Sequence, residues 1–436
     1  MIRVLTLLAV ALLPMKALAI EIQEVTSPGG ITAWLVEEHS IPFTAIDMEF
    51  RGGANEDQPA KRGATNLMMA LLEEGAGERD ARAFAEAAET LAARMSFDAG
   101  NDTVSVSIEF LTENRDASLA LLRDALTAPR FDADAVERVR EQVLASLASD
   151  ARDPGEIAQA RLAALSFPGH PYGTQLDGTP ESVAALNIED LRAAHSRALT
   201  RDRVHVGVTG DITAEELGPL LDDLLGGLPE NGTPGVPVAE YKLDGGVTVV
   251  EFPSPQSVVL FGQEGIAFDD PDYFPAYILN HVLGGGGFES RLMTEVREKR
   301  GLTYGIGTFL APRDLAAQWL GQFSSSNDKA AEAVALVRDE WARVAADGIT
   351  QEELDTAKTF LTGAYPLRFD GNRNIASILV GMQVNDLPID YIETRNDKVE
   401  AVTLEDVKRV AARVLKPEAL HFVVVGQPED IESGSF

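Results

Sequence analysis

The sequence predicts an α+β fold of two homologous domains, each an antiparallel sheet packed with helices. The first observation behind this prediction is an internal repeat, in which residues 188–210 match residues 404–426 at a constant offset of 216. The second is a stretch rich in Gly and Pro between the two copies, over residues 227–246. An ungapped match across a helix, a turn and a strand indicates duplication of a structural unit. Chance agreement between two helix–strand units is the alternative.

Several positions are identical under the 216-residue shift, and they are spread along the matching segment. The identical pairs include Glu189/Glu405, Asp190/Asp406, Arg197/Arg413, Leu199/Leu415, His205/His421 and Gly210/Gly426. We therefore expect residues 20–226 to form an N-terminal domain and residues 227–246 a linker. Residues 247–436 should form a C-terminal domain in which the same order of elements returns.

The elements of the first half follow from alternating apolar residues, helical periodicity and turn signals. In chain order the predicted elements are strands over 31–36 and 45–50, helices over 63–74 and 81–94, a hairpin over 95–98 and 103–110, helices over 115–126 and 133–150, a loop over 167–173, helices that begin at 182 and 188, and a strand over 204–208. The hairpin is the clearest of these, because every second residue from Val104 to Phe110 is apolar and a Gly-Asn-Asp turn precedes them.

The first 19 residues predict a secretory signal peptide. Arg3 precedes an apolar run over residues 4–13, and an Ala-Leu-Ala sequence ending at Ala19 offers a cleavage site. The alternative, a membrane-spanning helix, needs about 20 apolar residues, and Pro14 and Lys16 interrupt this run too early. We therefore expect a periplasmic or secreted protein without a membrane span, cleaved near Ala19.

Composition excludes several classes of function. The chain has no cysteine, which rules out disulfides, thiolate metal sites and a cysteine nucleophile. Its formal net charge is −32, from 37 basic and 69 acidic residues. Such a surface repels phosphate backbones and anionic lipid headgroups, so we expect no nucleic-acid partner. Solubility or a salty habitat accounts for most of this charge.

Residues 284–304 carry the clearest chemical signal, with the sequence GGGGFESRLMTEVREKRGLTY. Four glycines lead into a charged segment that we expect to be helical, and an extended run over residues 303–310 follows. Arg297 and Tyr304 lie seven residues apart, at the corner between that helix and that strand. An arginine beside a phenol can hold a carbonyl or carboxylate oxygen, but the pair cannot activate water. The alternative is a solvated charged helix face, with Tyr304 a core residue.

Three segments resemble the pitrilysin-type peptidase superfamily, which includes insulinase and the mitochondrial processing peptidase: GATNLMMA at 63–70, FPGHPYG at 167–173 and the run at 284–304. Active members of that family carry H-x-x-E-H on the first helix of the N-terminal domain. Two histidines four residues apart share a helix face and bind one zinc, while the glutamate deprotonates the zinc-bound water. A glutamate from a later helix completes the ligands.

The matching positions in this chain are Asn66, Met69 and Ala70. Alanine has no ligand atom, methionine cannot accept the proton, and an asparagine amide is a poor zinc donor. The later helix has Ala145 and Ser146 near the position of the third ligand. The resemblance therefore implies no metal and no catalytic residue in this chain. We interpret residues 63–74 as a mostly buried helix.

The resemblance also implies a role for Arg297 and Tyr304. In active relatives the corresponding pair reaches from the C-terminal domain across a closed chamber, binds the peptide and stabilises the oxyanion. Family members of this size are commonly dimers. The leading hypothesis is therefore a subunit without zinc in a heteromeric zinc metallopeptidase, whose homologous H-x-x-E-H-bearing partner supplies the zinc. We expect peptide substrates and no activity of the chain alone.

A different class of function remains open. The chain can also be a catalytically inactive scaffold or peptide-binding homologue without a peptidase partner. A hydrolase with an unrecognised site is a third alternative. A homologue bearing H-x-x-E-H in the neighbouring coding sequence favours the first hypothesis, and its absence favours the scaffold.

Overall fold

Two β-sheets, one in each half of the chain, organise the structure. The computed structural model describes residues 20–232 and 235–435, so the predicted signal peptide lies outside the described residues. The first sheet has six strands in the order β1-β2-β8-β3-β7-β6, and the second has five in the order β11-β12-β10-β13-β9. The strands, with a separate short pair β4–β5, are β1 Gln23–Thr26, β2 Thr32–Glu37, β3 Phe43–Arg51, β4 Gly75–Ala76, β5 Arg79–Asp80, β6 Arg94–Ala99, β7 Thr103–Leu111, β8 Val204–Gly210, β9 Gly246–Glu251, β10 Gln256–Glu264, β11 Ile306–Pro312, β12 Ala317–Ser326 and β13 His421–Gly426.

Helices follow the strands in the same order in both halves. They are α1 Ala64–Ala70, α2 Ala81–Thr90, α3 Arg115–Thr127, α4 Ala133–Asp150, α5 Pro154–Ser166, α6 Pro180–Ala184, α7 Ile188–Ala198, α8 Ala214–Leu225, α9 Tyr273–Asn280, α10 Ala330–Asp347, α11 Gln351–Ala364, α12 Asn372–Val384, α13 Tyr391–Glu400 and α14 Leu404–Val414. Within residues 20–232 and 235–435, no helix combines the length and apolar character needed to cross a bilayer.

The strand orders of the two sheets confirm a duplicated α+β unit. Read from β6, the first sheet runs β6-β7-β3-β8-β2, and read from β11 the second runs β11-β12-β10-β13-β9, so equivalent strands occupy equivalent places. The sheets are antiparallel except for one parallel pair in each, β2 with β8 and β9 with β13. The last strand of each unit returns after several helices, and a long crossover of this kind permits parallel pairing.

The matching helices α7 and α14 begin in the same way. Asn187 caps α7 and Thr403 caps α14, each by accepting the backbone N–H of the aspartate three residues later. That aspartate, Asp190 or Asp406, accepts the backbone N–H of the capping residue in return. Such a reciprocal pair satisfies two backbone donors at a helix start. The local start signal is therefore duplicated along with the fold.

Each half contributes one helix that packs on the sheet of the other half. Helix α5 belongs to the first half but packs on the second sheet, where Ala158 and Leu162 contact a cluster that includes Val423 and Val425. Helix α12, the equivalent helix of the second half, packs on the first sheet in a cluster with Trp34 and Val36. Each sheet therefore has one face covered by helices of its own half and the other face covered by a helix of the other half.

Gly207 makes the contact between α12 and the first sheet possible. It lies on β8, and a Cβ built there would overlap the carbonyl oxygen of Ala376 on α12. Gln383, near the end of the same helix, donates its side-chain amide to the carbonyl of Val206 at 2.9 Å. The absence of a side chain at Gly207 thus lets α12 lie directly on the sheet.

A second junction joins the turns of the two hairpins. The hydroxyl of Tyr172 lies 2.8 Å from both carboxylate oxygens of Asp102, which follows β6, and it accepts the N–H of Leu315, which precedes β12, at 3.0 Å. Asn55 also donates to Asp102 at 2.8 Å. Burial raises the pKa of the Asp102 carboxyl and of the Tyr172 phenol. The loop at 167–173, predicted only as a loop, therefore holds the halves together.

Several predicted bounds differ from the structure. The helix predicted over 63–74 ends at Ala70, because the N–H groups of Leu71 and Leu72 donate to carbonyls three residues earlier and start a turn. That turn leads into β4 at Gly75, whose φ of +116° favours glycine. The helix predicted over 81–94 ends at Thr90, and β6 already begins at Arg94. The extended run predicted over 303–310 becomes a strand only at Ile306. Helices α4 and α7 begin where they were predicted.

We expect Gly207→Ala to lower the free energy of unfolding by about 1–3 kcal/mol, because the added methyl forces α12 away from the sheet. The matched control is Gly381→Ala on α12 itself, where a Cβ meets nothing within 4 Å. That change should leave stability unchanged or raise it by up to about 1 kcal/mol. Urea unfolding of both variants measures the difference, and equal stabilities would contradict the described contact.

We expect stability to depend on pH through the buried His195, whose Nε2 lies 2.8 Å from the carbonyl of Leu126. Burial lowers its folded-state pKa below the ordinary value of 6.5. As pH falls below about 6.5, the unfolded chain binds a proton that the folded chain does not, so stability falls. Urea unfolding at pH 7.5 and 5.5 should show a larger loss for the wild type than for His195→Gln. Parallel losses in the two proteins would contradict the assignment.

Candidate functional site

The glycine run begins as a continuation of α9. After Asn280 the chain makes a wider helical turn over His281–Gly285, which lies against β11. A Cβ on Gly284 would come within 2.5 Å of the Thr308 hydroxyl, and a Cβ on Gly285 within 2.6 Å of the Asn280 amide nitrogen. Thr308 donates to Asn280 at 2.8 Å. These two glycines are therefore required by packing, since a larger residue would push the turn away from the strand.

Ser290 and Arg291 fix the segment that follows the glycines. The Ser290 hydroxyl donates to the carbonyl of Gly287 at 2.8 Å. The Arg291 guanidinium donates to both carboxylate oxygens of Glu353 at 2.6 and 2.7 Å, and it lies 3.4 Å from Glu340, which is almost fully buried. Two-pronged arginine–carboxylate pairs hold a defined geometry. The helical turns over 291–298 are therefore anchored to α10 and α11.

Arg297 contacts Tyr304 through a hydrogen bond to the backbone of the tyrosine, not to its phenol. The Nε of Arg297 donates to the main-chain oxygen of Tyr304 at 3.0 Å, and its guanidinium carbon lies 4.9 Å from the ring centre of Phe288. The Tyr304 side chain is 90% exposed, so the interpretation of this tyrosine as a core residue is wrong. The aromatic ring and the carbonyl together orient the guanidinium.

The neighbouring basic residues differ from Arg297 in their partners. Lys299 and Arg300 both pair with Glu295, at 2.6 and 2.9 Å. These pairs lower the pKa of the Glu295 carboxyl. Arg297 forms no ion pair with a carboxylate among the described residues. Its Nη groups and the Tyr304 hydroxyl are therefore available to an oxygen from outside this chain. The charges of Lys299 and Arg300, by contrast, are already paired with Glu295.

The first helix of the N-terminal half is held by a buried carboxylate. Asp57, whose side chain is fully buried, accepts the N–H groups of Gly63 and Thr65 at 3.1 and 3.2 Å and the Thr65 hydroxyl at 2.6 Å. Arg197 on α7 donates to the same carboxylate at 2.5 Å. This network satisfies backbone donors at the start of α1. It fixes α1 in place even though the helix has only seven residues.

The positions of the H-x-x-E-H motif are occupied by groups that pack or face solvent. Met69 is 1% exposed and belongs to the apolar core of the first half, while Asn66 and Ala70 are half-buried. Ala145 and Ser146, on α4, are exposed. Across residues 20–232 and 235–435, no group of three or more His, Cys, Asp or Glu side chains could hold a metal ion. The side chains around Asn66 thus offer no set of ligands.

Two features of the site were missed from the sequence. The contact of Phe288 with Arg297 was missed, because no helical or strand spacing brings together residues nine positions apart. The Asp57–Arg197 pair was missed because its members lie 140 residues apart. The repeat marks Arg197 as one of a matched pair with Arg413, which binds Asp270 at 3.0 Å.

Comparison with protein families matches most of the chain to two related models. The model described as "Insulinase (Peptidase family M16)" matches residues 33–179, and the model described as "Peptidase M16 inactive domain" matches residues 185–361. A curated relative is the "Non-peptidase homolog YmxG" of Helicobacter pylori, which is 27% identical over 424 residues, covering 96% of this chain and 97% of that protein. An uncharacterized zinc protease of Mycobacterium leprae is 26% identical over 403 residues, covering 89% and 88%.

Solved structures show the same fold. The crystal structure of a peptidase M16 inactive domain from Pseudomonas fluorescens aligns with a TM-score of 0.88 at 29% identity, covering 95% of this chain and all of that one. A protease from Helicobacter pylori aligns with a TM-score of 0.84 at 18% identity, covering 93% and 99%. The second likeness concerns the fold alone.

Because α1 keeps residues 66 and 70 on one face, we expect Asn66→His with Ala70→His to create a zinc-binding pair. Isothermal titration should show that the double variant binds Zn²⁺ at least about tenfold more tightly than either single variant, since the second histidine acts at high effective concentration. The dialysed wild-type chain should retain no stoichiometric zinc. Stoichiometric zinc in the wild type would contradict this description of the site.

Proposed function

From the premise that the chain belongs to the insulinase family, peptidase family M16, we propose that it is the subunit without zinc of a heteromeric metallopeptidase. It is an inactive homologue within that family, because the positions of the catalytic motif hold Asn66, Met69 and Ala70. The observation that carries the proposal is the oriented guanidinium of Arg297, which has an aromatic and a carbonyl partner but no carboxylate among the described residues.

This arrangement of hydrogen-bond donors is suited to stabilising a peptide carbonyl while water attacks it. When water adds to a peptide carbonyl, negative charge develops on its oxygen, and a donor already aimed at that oxygen lowers the barrier. Arg297 is held by Phe288 and by the Tyr304 carbonyl, so little reorganisation is needed at that step. The Tyr304 hydroxyl supplies a second donor. Neither group can generate the attacking hydroxide, which must come from a metal-bound water elsewhere.

The partner in this proposal is a homologous subunit that carries H-x-x-E-H and zinc. In the complex, Arg297 and Tyr304 would complete the partner's site in trans, and the substrates would be peptides small enough to enter a chamber between the subunits. The complex would work in the periplasm or outside the cell after removal of residues 1–19. The name of the Mycobacterium leprae relative, a zinc protease, supports a zinc-dependent assembly.

A second candidate function is a scaffold or peptide-binding protein without a peptidase partner. The name of the Helicobacter pylori relative, a non-peptidase homolog, favours it. Purification of the tagged chain from its native cells separates the two functions. Recovery of a homologous chain with stoichiometric zinc supports the peptidase subunit, and recovery without any such chain supports the scaffold.

In the co-purified complex, Arg297→Ala should lower peptide turnover by roughly 10²-fold, because one oxyanion donor is lost. The matched control is Arg300→Ala, which removes an arginine three residues away that pairs with Glu295. The control should keep turnover within about twofold of the wild type, since exposed ion pairs contribute little. Steady-state hydrolysis of an internally quenched peptide measures both variants. Equal turnover in the two variants would refute a role of Arg297 in transition-state stabilisation.

A further inference from the structure

An uncharged cleft lies beside Tyr304. Its volume is about 630 Å³, and none of the 14 residues that line it is charged. Tyr304 and Phe309 contribute rings that are 90% and 47% exposed, and Gln322 and Ser324 contribute neutral polar groups from β12. In a chain with a formal net charge of −32, a cleft without a single charged group is a distinct chemical environment.

Two of the glycines that line the cleft, Gly305 and Gly307, are not required by contacts inside the chain. A Cβ on Gly305 would meet nothing within 4 Å, and a Cβ on Gly307 would meet only the carbonyl oxygen of Gly284, at an ordinary 3.6 Å. Neither residue has a left-handed φ. By contrast, Gly284 and Gly285 are fixed by close neighbours. Glycine weakens a strand by about 0.5–1 kcal/mol relative to alanine, so Gly307, which lies within β11, costs stability without relieving any contact inside the chain. Gly305 directly precedes this strand.

Glycine in a strand without an internal reason often marks the close approach of a ligand. Gly307 pairs with Gln322 in the β11–β12 ladder, so its missing side chain leaves the sheet surface bare between Tyr304 and Phe309. The volume lies within the range of about 300–1,000 Å³ that is usual for binding pockets. It is large enough for one bulky side chain and the main chain around it.

We propose that this cleft is a subsite for an uncharged aromatic or large aliphatic side chain of an extended peptide. The assignment rests on the proposed function in one respect, namely that the ligand is a peptide. A charged side chain here would lose water without gaining a counter-charge. An aromatic or aliphatic side chain would instead contact the rings of Tyr304 and Phe309. Its neighbour along the peptide would then reach Arg297, which donates to the Tyr304 backbone.

The test uses the full chain without its signal peptide and without any partner, because the described cleft lies within this chain. Fluorescence anisotropy should measure binding of four labelled decapeptides that differ only at one central residue: Phe, Leu, Lys or Asp. A salt concentration of about 0.15 M limits the long-range attraction of the Lys peptide to the acidic chain. We expect the Phe and Leu peptides to bind about tenfold more tightly than the Lys and Asp peptides.

Gly305→Leu should fill the cleft and remove that preference, so that all four peptides bind as weakly as the Asp peptide. The matched control is Gly363→Leu on α11, where a Cβ also meets nothing within 4 Å and which does not line the cleft. The control should keep the preference. Gly307→Ala serves as a smaller obstruction and should reduce the preference about threefold, since it adds a single methyl group. Thermal unfolding checks that each variant is folded.

Three results would overturn the subsite: equal binding of all four peptides, an unchanged preference in folded Gly305→Leu, or no binding of any peptide up to about 1 mM. Loss of partner binding in Gly305→Leu, with peptide binding unchanged, would assign the cleft to the partner subunit instead. These results are separate from the turnover of Arg297→Ala in the complex. A preserved peptide preference with unaffected turnover would keep the cleft and refute the peptidase subunit.

Discussion

The exchange of α5 and α12 between the halves is the contact on which the rest of the structure depends. Each sheet of the duplicated fold would otherwise expose one apolar face, and each is covered by a helix that belongs to the other half. Exposing such faces to water would cost far more than the few kcal/mol by which a domain is usually stable. The two halves therefore form one cooperative body, and the link through Tyr172 reinforces it at the hairpin turns.

This body carries two candidate sites with opposite properties. In the first half, α1 is still held firmly by Asp57 and Arg197, yet its motif positions hold side chains that cannot bind zinc. In the second half, the guanidinium of Arg297 is positioned by Phe288 and the Tyr304 carbonyl and pairs with no carboxylate among the described residues. Helix α1 is thus firmly held without metal ligands, whereas the guanidinium that we propose to contact a substrate has a defined geometry. This difference is the physical argument for the proposed division of labour between two subunits.

Much of the fold could be predicted from the sequence, because its signals are local. The apolar alternation is contained within β7, and the capping residues of α7 lie three positions apart at its start. The repeat is visible without any structure. Helix α5 was missed because its apolar residues are spread around the helix rather than gathered on one face, and Pro219 within α8 obscured that helix. The early end of α1 follows from the turn hydrogen bonds of Leu71 and Leu72, which no periodicity in the sequence indicates.

The site was predicted less completely than the fold. The spacing of Arg297 and Tyr304 indicated that they lie close together, but it could not show that the arginine binds the backbone oxygen of the tyrosine and the ring of Phe288. The most direct test of the account is a zinc-edge anomalous difference map of crystals of the co-purified complex. We expect one zinc per complex, held by the partner's side chains and facing Arg297 of this chain. A zinc ion bound beside Asn66, or a partner zinc remote from Arg297, would contradict it.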